Sequence, residues 1–163
     1  MRFIVNWFRS WRLGQLRPQL VNPHLRYPDR TQTVRALAYW RDETVVPKLL
    51  DLLREMDTAG SGEVAELRTA LLDALRTIPH PEKRAMLLQV WAVSSRHHHE
   101  RVTSADVVAI TGESASELFA SYLANADPDL RRQAGRAIAD AKDTRALPAL
   151  LAAINAETDW DLR

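Results

Sequence analysis

The chain has 163 residues, 46% of them hydrophobic and 26% charged, and only five are glycine; that suits one globular core built from helices rather than sheets. It contains no cysteine, which excludes disulfides, thiolate catalysis and Cys-ligated zinc, and no apolar run nears the roughly 20 residues of a membrane span. The net charge of +1 hides an uneven distribution, because residues 1–41 hold eight arginines against one acid, Asp29: such a segment suits an acidic protein surface, anionic lipid or a phosphate backbone, or is simply a solvated helix face.

The first predicted element is an N-terminal amphipathic helix within 1–25. Phe3, Ile4, Trp7, Phe8 and Trp11 fall at helical spacing on one face, flanked by Arg2, Arg9 and Arg12. Three roles fit it: a cap packed on the next helices, an interfacial helix touching a membrane through residues 1–13, or a docking element for a protein. Asn6, Arg9 and Arg12 interrupt any apolar signal-peptide core, so the segment reads as uncleaved and the expected location is cytoplasmic.

Four helical hairpins follow, at 28–57, 63–95, 102–125 and 127–157. The first and last are copies. Segments 35–50 and 136–151 align at an offset of 101, with Asp42 and Asp143, Pro47 and Pro148, and Leu49-Leu50 and Leu150-Leu151 identical in register. A weaker copy places Glu66-Leu67-Arg68 on Asp129-Leu130-Arg131 and Leu87-Leu88 on Leu150-Leu151, with a helix break at Ile78-Pro79-His80-Pro81. The third unit, at 102–125, is degenerate and turns at Gly112. In each copy an acidic or Pro-Asp start supplies the N-cap, and apolar residues such as Leu67, Ala70, Leu71, Ala74, Leu75 and Ile78 recur at helical spacing. Pro47 and Pro148 fall in the opening turn of a second helix, where a missing N–H costs little. Residues 158–163 begin an incomplete further unit, since Asp159-Trp160-Asp161-Leu162-Arg163 repeats Asp127-Pro128-Asp129-Leu130-Arg131. The last full hairpin therefore shows leucines and an isoleucine with little cover. Trp160 and Leu162 fold back over them, a second molecule covers them, or the array is cut from a longer one.

An acid, a Leu and an Arg, then a small-residue helix, then Asp-x-x-x-x-Pro-x-Leu-Leu resembles the HEAT repeat. The pattern is most similar to the short bacterial HEAT-like type first described in phycobilisome lyases. The match is good over 127–157, fair over 28–56 and weaker between, with Arg30 in place of the Leu and His80 in place of the turn Asp. The resemblance implies an all-α, right-handed α-α superhelix: a HEAT/armadillo-like solenoid of about four hairpins plus the N-terminal helix, forming a single domain over 1–163. It specifies an architecture and leaves the function open.

No chemistry-bearing pattern emerges. His97-His98-His99 are consecutive, so on a helix they cannot converge on one ion, and they read as a loop rather than a metal site. Gly60-Ser61-Gly62 lies between helices and is a linker, not a phosphate loop. Asp42 and Asp143 read as turn and cap residues. Arg30, Arg68, Arg131 and Arg163 take equivalent places, as do Arg35 and Arg136; they bridge neighbouring repeats by pairing with acids, or they line a groove for an acidic ligand.

The expected function is thus a non-catalytic scaffold or adaptor that binds a protein or peptide, with no cofactor and no metal. Candidate contact residues are Trp7, Trp11, Arg35, Tyr39, Trp40, Trp91, Arg131 and Arg136, aromatic and arginine side chains being the usual hot-spot anchors. Self-association through the open C-terminal end is a further expectation. A HEAT-like nucleic-acid-binding protein and, by family resemblance, a bilin-lyase-like enzyme subunit are the alternatives.

Overall fold

A computed structural model of the chain describes residues 2–56, 62–96 and 102–156. Every regular element among them is helical, and no strand occurs among them. The single domain expected over 1–163 is resolved into two compact units, Met1–Leu87 and Leu88–Arg163, which are taken in turn.

The first unit opens with α1 (Arg2–Leu20). Its last turns bury Leu13, Leu16 and Leu20, a helical stripe that packs on α2 (Tyr27–Tyr39). Pro18 removes the N–H that would otherwise reach the Gly14 carbonyl, which is tolerable near the end of the helix. The chain then turns at Asn22, whose Oδ1 accepts from the His24 N–H at 3.0 Å. Arg30 on α2 donates back to the Asn22 carbonyl at 2.6 Å and ties the turn down.

Helix α2 has the expected Pro-Asp start, with Pro28 and Asp29 in its first turn, although its N-cap residue is Arg26, which makes no side-chain cap bond. Thr31 and Thr33 are buried beside Val34 and Leu37, and their hydroxyls donate to the Tyr27 and Asp29 carbonyls, so neither hydroxyl is left without a partner. Opposite α2 lies α4 (Gly62–Thr77), which presents Leu67, Ala70, Leu71, Ala74 and Leu75. Between them, α3 (Val46–Glu55) follows a short 3-10 turn and buries Val46, Leu49, Leu50 and Leu53, packing on α4.

Breaks at the helix ends are closed by side chains. After α4, the Lys83 Nζ donates to the Leu75 and Ile78 carbonyls at 2.8 and 2.9 Å, satisfying acceptors the helix leaves open. Burial there holds the Lys83 ammonium below its ordinary pKa. His80 Nδ1 accepts from the Glu82 N–H at 3.2 Å. His80 thus makes the same bond, two residues ahead, that Asp42 makes to Thr44 and Asp143 to Arg145. The departure from the expected Asp leaves the turn chemistry intact.

The division between the units falls inside α5 (Lys83–Arg96). In the second unit α6 (Ser104–Thr111) carries a capping box between Thr103 and Asp106 and ends at Gly112, whose φ of 72° suits a residue without a Cβ. A second capping box, Ser114 with Glu117, starts α7 (Ala115–Phe119), and a 3-10 turn over Ala120–Ala124 continues it. These two short helices are the degenerate hairpin expected at 102–125. Next, α8 (Pro128–Asp140) is capped by Asp127, whose carboxylate accepts from the Asp129 N–H, and packs on α7 and the turn after it. A 3-10 turn at Thr144–Ala146 leads to α9 (Leu147–Ala156).

The copied hairpins have the same bounds at the offset of 101. Tyr27–Tyr39 and Pro128–Asp140 are both 13 residues, and Val46–Glu55 and Leu147–Ala156 are both 10. Arg41 and Lys142 take the same left-handed backbone, with φ of 48° and 50°. Both sit just before the capping aspartate, where a non-glycine residue is strained, and the shared turn holds them there.

Candidate partner-binding surfaces

The repeat aspartate does two jobs in each copy. Asp42 is 4% exposed. It caps its own 3-10 turn, accepting from the Thr44 N–H at 3.4 Å and the Thr44 hydroxyl at 2.8 Å. It also receives a two-pronged contact from α1: Arg17 Nε and Nη2 lie 2.7 and 2.9 Å from its two oxygens. Burial pushes the Asp42 carboxyl up, but the bonds from Arg17 and Thr44 outweigh it and hold the group below its ordinary pKa. Asp143 repeats the design with another partner. It accepts from Arg145 and from the Ser116 N–H at 3.0 Å, which keeps its carboxyl well below the usual carboxylate range. Both aspartates are turn and cap residues, as their spacing suggests, and each also fastens its hairpin to a preceding element.

On α1 the aromatic side chains of Trp7, Phe8 and Trp11 stay largely in solvent. At about 100° per residue, Trp7 and Trp11 project about 170° away from the stripe of Leu13, Leu16 and Leu20 that docks on α2. Trp7 is 67% exposed, Phe8 47% and Trp11 46%. Phe8 lies 5.9 Å from the Trp11 ring and 6.5 Å from Trp40, and Trp40 meets Tyr39 edge-on at 5.4 Å. Arg9 donates to the Trp40 carbonyl at 2.9 Å and so pins the end of α2 to this face. Trp11, Phe8, Trp40 and Tyr39 therefore form one chain of ring contacts on the first unit. Arg9, Arg12 and Arg41 are exposed in the same unit. Beside the cluster, a shallow cleft of about 490 Å³ is lined by Arg9, Arg17 and Arg41 together with Asp42 and Glu43.

The other candidates fall elsewhere. Arg35 pairs with Glu66 at 3.0 Å, linking α2 to α4 across an exposed contact, as expected of a pairing between repeats. Trp91 is 2% exposed, with Phe119 at 4.6 Å and Tyr122 at 5.2 Å. It is a core residue of the second unit and not a surface anchor, because the α5 face it occupies is the buried one. Arg131 donates to the Asn125 and Ala126 carbonyls. Like Arg30, it clamps the turn before its own helix. Arg136 is exposed on α8. His97-His98-His99, Arg163 and the lid of Trp160 and Leu162 lie outside the described residues. Among the described residues no group of acids and histidines is arranged to hold a metal, and no helix is long and apolar enough to cross a membrane.

A second surface lies on α9. Leu147, Leu151 and Ile154 follow helical spacing along one face and are 53%, 60% and 46% exposed. At the offset of 101 they correspond to Val46, Leu50 and Leu53, which are 0%, 2% and 0% exposed. In the first copy α4 packs on α3; no described element follows α9.

Comparison with protein-family models, curated proteins and solved structures finds no match for the chain.

Proposed function

We propose that the chain is a non-catalytic, cytoplasmic helical-repeat scaffold of the HEAT-like type that binds a protein partner through a helix laid on α9. One observation carries this reading: three positions that are fully covered in the first hairpin stand open in the last, although the residues remain Leu, Leu and Ile. Leaving such side chains in water forgoes roughly 1.5–3 kcal/mol each. The surface that covers their equivalents shows what fits, namely a helix with a stripe of leucines and alanines like that of α4.

The test compares the wild-type protein with Leu147→Asp/Leu151→Asp. Both positions are exposed, so thermal melts should coincide. Affinity capture with the wild type is expected to retain a protein that the double variant loses, or sedimentation equilibrium is expected to show a self-association that the variant abolishes. Capture and association that are identical for the two proteins would end the proposal.

A further inference from the structure

We infer that the helix laid on α9 is α9 of a second copy of this chain, the two running antiparallel about a two-fold axis. This rests on the α9 docking proposed above and names its partner. Helix α9 differs from its copy on more than one side. It packs on the turn over Ala120–Ala124, yet no residue from Leu147 to Ala156 is fully buried. In α3, by contrast, Val46, Leu49, Leu50 and Leu53 are buried. The other side of α3 carries Lys48, Asp51, Arg54 and Glu55, with Asp51 lying 3.9 Å from Lys48 and 3.8 Å from Arg54. At the offset of 101 those four charged residues become alanine, alanine, asparagine and alanine. Helix α9 therefore has no charged residue over Leu147–Ala156, and Asn155 is its one polar side chain. A helix that is apolar nearly all round belongs under cover, not in water.

Composition and charge select the occupant. In the first copy the cover is a stripe of leucines and alanines on α4. Helix α9 is itself such a surface, because exposed Leu147, Leu151 and Ile154 run beside exposed Ala152 and Ala156. The large side chains of one copy can lie over the alanines of the other, and a two-fold axis makes both contacts at once. Identical surfaces repel wherever they carry charge; here neither copy brings any, and no ion is desolvated. An acidic, basic or nucleic-acid partner would find nothing on this helix to pair with. A ten-residue helix is only about 15 Å long, so the contact lies at the small end of protein interfaces, with a dimer Kd of about 1–100 μM.

The test uses the full chain in sedimentation equilibrium across that concentration range, with two variants, Leu151→Lys and Leu151→Glu. Leu151 is the middle residue of the exposed row, so an antiparallel pairing centred on the row sets it near the partner's Leu151. The side chain is 60% exposed, and circular dichroism melts check that the fold is unchanged. The wild type is expected to pass from monomer to dimer with no larger species, because a two-fold contact closes. Each variant alone should dimerise about tenfold more weakly or worse, since like charges then face each other, and an equimolar mixture of the two should regain association. A wild type that stays monomeric would overturn the inference; the docking role of α9 would then survive only if affinity capture still separates the wild type from Leu147→Asp/Leu151→Asp. Variants that dimerise as the wild type does would place the contact elsewhere and overturn it. A mixture no more associated than its components would also overturn it, by showing that the contact is not two-fold at Leu151.

Discussion

Replacing Arg17 by Met should destabilise the first unit by about 2 kcal/mol at pH 7. The figure follows from the geometry. Arg17 makes two charge-assisted bonds to a carboxylate that is only 4% exposed, and each such bond contributes roughly 1.5–3 kcal/mol in favourable surroundings. Fully buried pairs broken from one side lose about 3–5 kcal/mol, whereas exposed pairs lose about 0–1 kcal/mol. The Arg17 side chain is 45% exposed, and Asp42 would retain its two bonds from Thr44, so the value lies between these limits. Urea unfolding followed by circular dichroism reads it as a midpoint lowered by roughly 1 M. The pH dependence fixes the cause. Asp42 is held below its ordinary pKa in the folded state, so its contribution is complete above the unfolded value of about 3.9 and is lost as the pH falls through the folded value. The gap between wild type and Arg17→Met is therefore widest at neutral pH and narrows on acidification below about pH 4. A gap that stayed constant to about pH 3 would refute the electrostatic account and leave only lost packing of the arginine stem. A variant as stable as the wild type at pH 7 would refute the pairing itself.

Five further outcomes follow from the fold. Trp91→Ala should cost about 3–5 kcal/mol in urea unfolding, as a buried aromatic does, whereas Tyr39→Ala, at a site 80% exposed, should stay within about 0.5 kcal/mol. Arg26→Ser should raise stability by about 0.5–1 kcal/mol, because Arg26 already has the extended backbone of an N-cap but lacks an oxygen to accept from the first turn. Gly112→Ala should lower the melting temperature, at a cost of about 1 kcal/mol, through the positive φ of 72°. Gly135→Ala in α8 should do the reverse by a similar amount, since the new Cβ meets only Leu123 at 4.0 Å.

The hairpin bounds were legible because they depend on local chemistry. Asp, Pro and the helical period place α2, α3, α8 and α9 within a few residues of where the repeat alignment puts them. The capping boxes at Thr103-x-x-Asp106 and Ser114-x-x-Glu117 were equally readable in the sequence and define the two helices at 102–125 that repeat alignment resolves poorly. Side-chain partners were not legible in the same way. Trp91 and Tyr39 look alike in a sequence as aromatic residues on helices, and only the packing around them makes one a core residue and the other a surface one. Arg17 gave no sign that it reaches Asp42, 25 residues away, because the contact exists only once α1 docks on α2. Arg30 and Arg131 read as pairing with acids or lining a groove, and nothing in the sequence signalled that each also donates to carbonyls of the turn before its own helix.

The two copies also separate what folding requires from what it leaves over. At Asp42 and Asp143 the same residue keeps the same turn although its second partner changes from a guanidinium on α1 to a backbone N–H on α7. The aspartate is thus set by the turn, and its neighbour is recruited. The α9 face runs the opposite way. Its Leu and Ile residues match α3 in apolar type but stand exposed where their counterparts are covered. The same apolar pattern is thus covered by α4 in one copy and open in the other, and the Leu147→Asp/Leu151→Asp variant tests what the open face is for.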